Sequence, residues 1–138
     1  MNRATRWVPA LTLLLVATSS VSADDLTGSD RLLCTPMVAN ACEPDTGCEQ
    51  TAPWALNIPL FIEMDLKGKK MSTTEASGLN RETEIKNFLR EDGLIVLQGY
   101  QKRRAFSVVI IEETGLSTFS VSSEDKGAVI FGACTPMP

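Results

Sequence analysis

Histidine occurs nowhere in the 138 residues. The commonest general base is therefore missing, and neither a Ser-His-Asp nor a Cys-His site can be assembled from this chain alone. Mixed cysteine–histidine zinc sites go with it. Cysteine is scarce: its four copies, Cys34, Cys42, Cys48 and Cys134, are separated by seven, five and 85 residues. Those gaps do not match the C-x2–4-C knuckles of a structural metal site. There is no G-x-S-x-G elbow, P-loop or dinucleotide fingerprint. Glu63 and Asp65 come nearest to a carboxylate pair, but two acids alternating along one strand face more ordinarily form its solvated side. The expectation is a non-enzymatic chain that uses no cofactor or metal.

Long hydrophobic runs are also missing. The longest, Val8–Val16, has nine residues and contains Pro9, well short of the roughly 20 that a spanning helix needs. Arg3 and Arg6 precede it and Val21-Ser22-Ala23 follow, the order of a secretory signal with a small-x-small cleavage site before Asp24. Residues 1–23 are therefore expected to be removed, leaving a periplasmic or secreted protein without a transmembrane segment. Removing Arg3 and Arg6 from the 13 Lys and Arg leaves 11 against 17 Asp and Glu, a net charge of −6. That sign argues against nucleic acid and anionic membrane surfaces, and points to basic proteins or neutral small molecules.

What is present is alternation. In Ala55–Leu66 the residues Leu56, Ile58, Leu60, Ile62, Met64 and Leu66 alternate with Asn57, Pro59, Phe61, Glu63 and Asp65, the period of a strand with one buried face. Pro59 cannot donate to a ladder, which sets the start of that strand at an edge or a bulge. Short β-branched and aromatic runs follow, separated by three- to five-residue turns. The clearest turns are Glu91-Asp92-Gly93, Gln101-Lys102-Arg103 and Glu113-Thr114-Gly115. Only 80–92 has a competing helical reading, through Ile85, Phe88 and Leu89, and strand is preferred there. "LIVLQGY" and "FSVVII" are apolar on both alternating faces, as in strands covered on both sides. The fold class expected is all-β: an antiparallel up-and-down meander of about seven strands, forming a small barrel or sandwich over 54–138. Residues 24–53 would be a disulfide-tied N-terminal arm.

An even cysteine count in an exported chain reads as disulfides. Pro44-Asp45-Thr46-Gly47 turns the chain between Cys42 and Cys48, which favours that short pairing and leaves Cys34 for Cys134. Cys34–Cys48 with Cys42–Cys134 is the next alternative. The two Cys-Thr-Pro-Met stretches, at 34–37 and 134–137, would then be neighbours without being repeats.

With "NIPLFIEMDL", "STTEASGLNRETEIKN", "GLIVLQGYQKRRAFSVVI" and the terminal "FGACTP" in view, the chain resembles a family of small, uncharacterised exported bacterial proteins. That family ends in Phe-Gly-Ala-Cys-Thr-Pro. The resemblance covers nearly all of the mature chain and brings no activity with it. A looser likeness, of architecture and compartment only, is to periplasmic inhibitors of c-type lysozyme, whose inhibitory loops have no counterpart here.

Candidate binding residues come from local chemistry. Gln98 lies among apolar neighbours, where a buried amide ties strands together or lines a polar pocket, and Gly99 beside it marks a bulge or a close backbone approach. Tyr100, Arg103 and Arg104 cluster with Lys102 at one hairpin tip, a composition that suits an interface anchor. Trp54, between prolines, packs on the barrel end or forms a binding rim. The functional expectation is an exported binding or interaction module for an unknown protein or small molecule. The alternatives are an inhibitor of a hydrolase such as lysozyme, or a structural envelope component. Intact-mass measurement of natively produced protein should give a chain beginning at or near Asp24, and a retained Met1 would refute export with cleavage.

Overall fold

Alternating apolar residues and tight turns give the chain ten strands, all paired antiparallel, in the computed structural model, which describes residues 24–138. The expected signal segment, 1–23, lies outside the described residues. In chain order the strands are β1 (Arg31–Glu43), β2 (Gly47–Thr51), β3 (Ile62–Asp65), β4 (Lys70–Thr73) and β5 (Glu82–Glu84). They continue as β6 (Asn87–Glu91), β7 (Leu94–Gln101), β8 (Arg104–Ile111), β9 (Leu116–Ser122) and β10 (Gly127–Pro136). They form one sheet in the order β5-β4-β3-β1-β10-β9-β8-β7-β6, with β2 also paired to β1. The sheet curls into a half-barrel. Among the described residues no helix is long and apolar enough to cross a membrane.

The fold is all-β as expected, but its strands are more numerous than seven and do not form a single meander. β3–β5 and β6–β10 are two meanders, and β1 joins them. The segment expected to be an N-terminal arm supplies this hub: β1 pairs along its length with β10 on one side. On its other side it pairs first with β3 through Arg31–Cys34, then with β2 through Ala39–Glu43. Pro36 lies at the register shift of the β1–β10 ladder, between Pro36 and Val38. Lacking an N–H it cannot continue the ladder, so the extra residue, Met37, is extruded and exposed. Gly132 sits opposite Pro36, where a Cβ would lie 2.5 Å from the Thr35 carbonyl oxygen.

The alternation in 55–66 forms a strand only at its end. Pro53 opens a 3-10 turn over Pro53–Leu56, Asn57 closes it at φ 61°, and the ladder begins at Ile62. Two prolines and a left-handed residue prevent Leu56, Ile58 and Leu60 from sharing one strand face, and Leu60 and Phe61 are exposed. The segment 80–92 is strand: β5 and β6 flank the buried Ile85.

The core fills the concave side: Leu32, Cys34 and Ala39 from β1, Met64, Ile95, Leu97, Val108, Ile110, Phe119, Ile130 and Cys134. One end is plugged. Leu26 is fully buried, its N–H donates to the Glu112 carbonyl at 2.8 Å, and its carbonyl accepts from Arg90 Nη2 at 2.9 Å. Arg90 also donates to the Ser29 carbonyl and to Glu112 Oε1, so one half-buried guanidinium ties the N-terminal segment to the ends of two strands.

Both disulfides join residues directly opposite in their ladders. Cys34 pairs with Cys134 and Cys42 with Cys48, each pair with Cα atoms 4.0 Å apart. The first lies in the core and closes a separation of 100 residues; the second closes six near the surface. On chain-entropy scaling the long loop contributes about 4.7 kcal/mol and the short one about 2. Replacing the pair Cys34→Ala/Cys134→Ala should therefore lower unfolding free energy by roughly 3 kcal/mol more than Cys42→Ala/Cys48→Ala, since cavity cost adds to the larger loop term. Denaturant titration of the two variants measures this, and equal losses would overturn it.

Candidate functional site

Opposite the plugged end, the half-barrel is open. The chain from Pro53 to Pro59 crosses this mouth as a strap, and a crevice lies to either side of it. One lobe, a cavity of about 170 Å³, is floored by Ile62, Met71, Phe106 and Val121, with Ser72, Thr83 and Gln101 at its edge. The second, of about 200 Å³, runs under Leu56 and Asn57 toward Ser123, Lys126 and Ala128. Asn57, Ile58, Arg104 and Val121 line both, so the two are lobes of one crevice.

The strap is held from both sides by arginine. Arg81, just before β5, donates through Nη1 to the Asn57 carbonyl at 2.9 Å and through Nη2 to Asn57 Oδ1 at 2.7 Å. Arg104, at the start of β8, makes a single longer contact of 3.4 Å from Nη1 to the Leu56 carbonyl. On the far lobe Lys126 pairs with Glu43; this hydrogen bond raises the ammonium pKa above its ordinary value, while nearby Arg104 pulls it down. One wall of the crevice is set by barrel closure. The Lys86 N–H donates to the Gln98 carbonyl at 2.8 Å, and Gln101 receives Thr83 Oγ1 at 2.7 Å while donating to the Glu82 carbonyl. These bonds draw β5 onto β7 even though the two are not neighbours in the sheet.

The expected binding residues do not form one site. Trp54 is 64% exposed on the strap, which fits a rim position. Arg104 faces the crevice. Tyr100 and Arg103, which the sequence groups with it, lie elsewhere: Tyr100 projects from the convex face with the Lys86 ammonium 5.9 Å from its ring centroid, and Arg103 pairs with Glu124. Gln98 is exposed on the convex face, not buried among apolar residues. Its strand is covered on one side only. Leu94, Val109, Ile111, Leu116 and Phe131, all outward-facing, are each more than a third exposed, and Val109 and Phe131 both flank Thr118. This apolar convex band was not expected. Arg81 was missed as well, although the order Arg81, Thr83, Ile85 against Glu82, Glu84, Lys86 is a period-two signal that places it on the inner face.

Comparison with known protein families, with curated proteins and with solved structures finds no match for this chain. Its function has to be read from its own geometry.

Gly99 fulfils the close-approach reading. A Cβ there would lie 2.5 Å from the Phe106 ring and 2.8 Å from the Glu84 carbonyl oxygen. Only the first of these neighbours can give way, so Gly99→Val should strain the β5–β7 junction and push Phe106 toward the crevice. The expected cost is about 1–3 kcal/mol of stability. Thermal denaturation checks it, and an unchanged Tm would show that β5 does not need to lie against β7.

Proposed function

We propose that this protein is an exported, non-enzymatic binding module whose small-molecule ligand occupies the crevice at the open end of the half-barrel. The observation that supports it is the crevice itself. Its floor is apolar, it lies at the one unplugged end of the core, and polar groups converge on it from the strap and from two strand ends, as in ligand sites generally. Barrel mouths are a common place for such sites, because the strands hold the walls while the loops vary. Export rests on the signal-like N-terminus and agrees with two disulfides and no free cysteine among the described residues.

A second reading draws on the convex apolar band: a protein-binding face, whether for a hydrolase such as lysozyme or for an envelope component. Both readings are open to one experiment with N-phenyl-1-naphthylamine, a neutral fluorescent probe. Val121 lies at the junction of the two lobes and is only partly buried, so Val121→Trp fills the crevice while Phe131→Asn interrupts the convex band. Saturable fluorescence enhancement should be lost in Val121→Trp and kept in Phe131→Asn, with circular dichroism unchanged in both. The reverse pattern would move the binding surface to the convex face.

A further inference from the structure

We infer that the crevice is built for a small amphipathic anion, a short aliphatic or aromatic carboxylate. Its charged head would lie at Arg81 and Arg104 and its apolar body against Ile62, Phe106 and Val121. This inference rests on the reading of the crevice as the ligand site.

The distribution of charge carries it. The chain holds 17 Asp and Glu, all within the described residues, and none of them lines either lobe; Arg81, Arg104 and Lys126 do. Five of the other described cations, Lys67, Lys70, Lys86, Arg90 and Arg103, sit against carboxylates on the outer surface or at the plugged end. Arg81 and Arg104 have no carboxylate within 4.0 Å among the described residues, despite the acidic excess. Arg81 is oriented by neutral acceptors alone, both on Asn57, so its position is fixed while its charge stays uncompensated. Arg104 is held by one long bond to a carbonyl, and its remaining donors are free to turn to a ligand. Both guanidiniums reach adjacent residues of the same strap, Leu56 and Asn57. A planar fork of N–H donors matches a carboxylate better than it matches any neutral group.

The overall negative charge points to basic or neutral partners, but the local lining reverses that sign where a ligand would contact it. Size and floor narrow the class further. The two lobes together lie near the roughly 300 Å³ lower bound of drug-sized pockets, and the floor is aliphatic and aromatic. A bare inorganic anion would leave that floor wet, and a large lipid would not fit inside.

Isothermal titration calorimetry on the mature protein should compare three probes: octanoate, octan-1-ol with the same chain but no charge, and acetate with the head alone. Octanoate should bind at least roughly tenfold more tightly than either of the others, the factor set by a charge-assisted hydrogen bond of about 1.5–3 kcal/mol. Its affinity should fall with added salt. Arg104→Gln should lose about the same factor for octanoate and much less for octan-1-ol, and Arg104→Lys should restore part of the octanoate affinity. Equal binding of octanoate and octan-1-ol, or no effect of Arg104→Gln, would overturn the anion while leaving the crevice as an apolar site. No binding of any of the probes would overturn both.

Discussion

The pairing of β1 with β10 is the constraint on which the rest of the molecule depends. The first long strand and the last lie side by side along their whole length, and the Cys34–Cys134 bond fixes their register from inside the core. Each of the two meanders has an apolar concave face, and neither could bury it alone: β3–β5 is three short strands, and β6–β10 is a broader sheet with nothing of its own on its concave side. β1 joins them into one curved surface whose faces meet across the interior. Because a shift of one residue would turn every core side chain of β1 outward, a covalent bond at one ladder position protects the whole inner face. The bulge at Pro36 is tolerated within this ladder because it lies between the register set by Cys34 and that resumed at Val38.

From that closure follows an asymmetry between the two ends. At one, Leu26 enters the core and Arg90 with Glu112 ties the chain over it. At the other, Asn57 at a left-handed φ and the prolines on either side of it keep the chain out of the sheet. The strap they produce crosses the mouth without filling it. Hydrogen bonds from two arginines to its carbonyls substitute for the ladder bonds that the prolines forbid, and this places positive charge at the opening onto the apolar interior that the strap leaves. The same residues that stop a strand thus create the site and set its electrostatics.

Much of the fold was legible in the sequence, and the parts that were not have identifiable causes. Both disulfide pairings, the strands of 94–122 and the turn at Asp92-Gly93 follow from local chemistry, and the structure has them. Alternation in 55–66 misled because period two is necessary for a strand but not sufficient; Pro53 and Pro59 remove donors, Leu56 and Ile58 pack singly on the core, and Leu60 is left exposed. Apolarity on both faces of β7 and β8 misled in the opposite sense. It suggested burial on both sides, whereas the convex face is open and Gln98 sits on it among exposed apolar neighbours. The role of β1 as a hub could not be read locally, since its partners in β3 and β10 are about 30 to 100 residues away in the chain.

The candidate site shows most clearly where sequence reasoning stops. Arg103 and Arg104 are adjacent, and composition alone groups them with Tyr100. The hairpin between β7 and β8 has two central residues, Lys102 and Arg103, both at positive φ (47° and 66°), the conformation of a type I′ turn. Asp92 and Gly93 make the equivalent turn with the residues that suit it, whereas Lys102 and Arg103 do so without glycine. With that turn length fixed, Arg104 opposes Gln101 and must face inward, because Phe106, Val108 and Ile110 share its parity and point to the core. Tyr100, one step from Gln101, must face outward. A three-residue turn at the same place would change the pairing of every residue in β8, so the partition of this basic cluster between crevice and surface is decided by one residue of turn length and not by the cluster's composition.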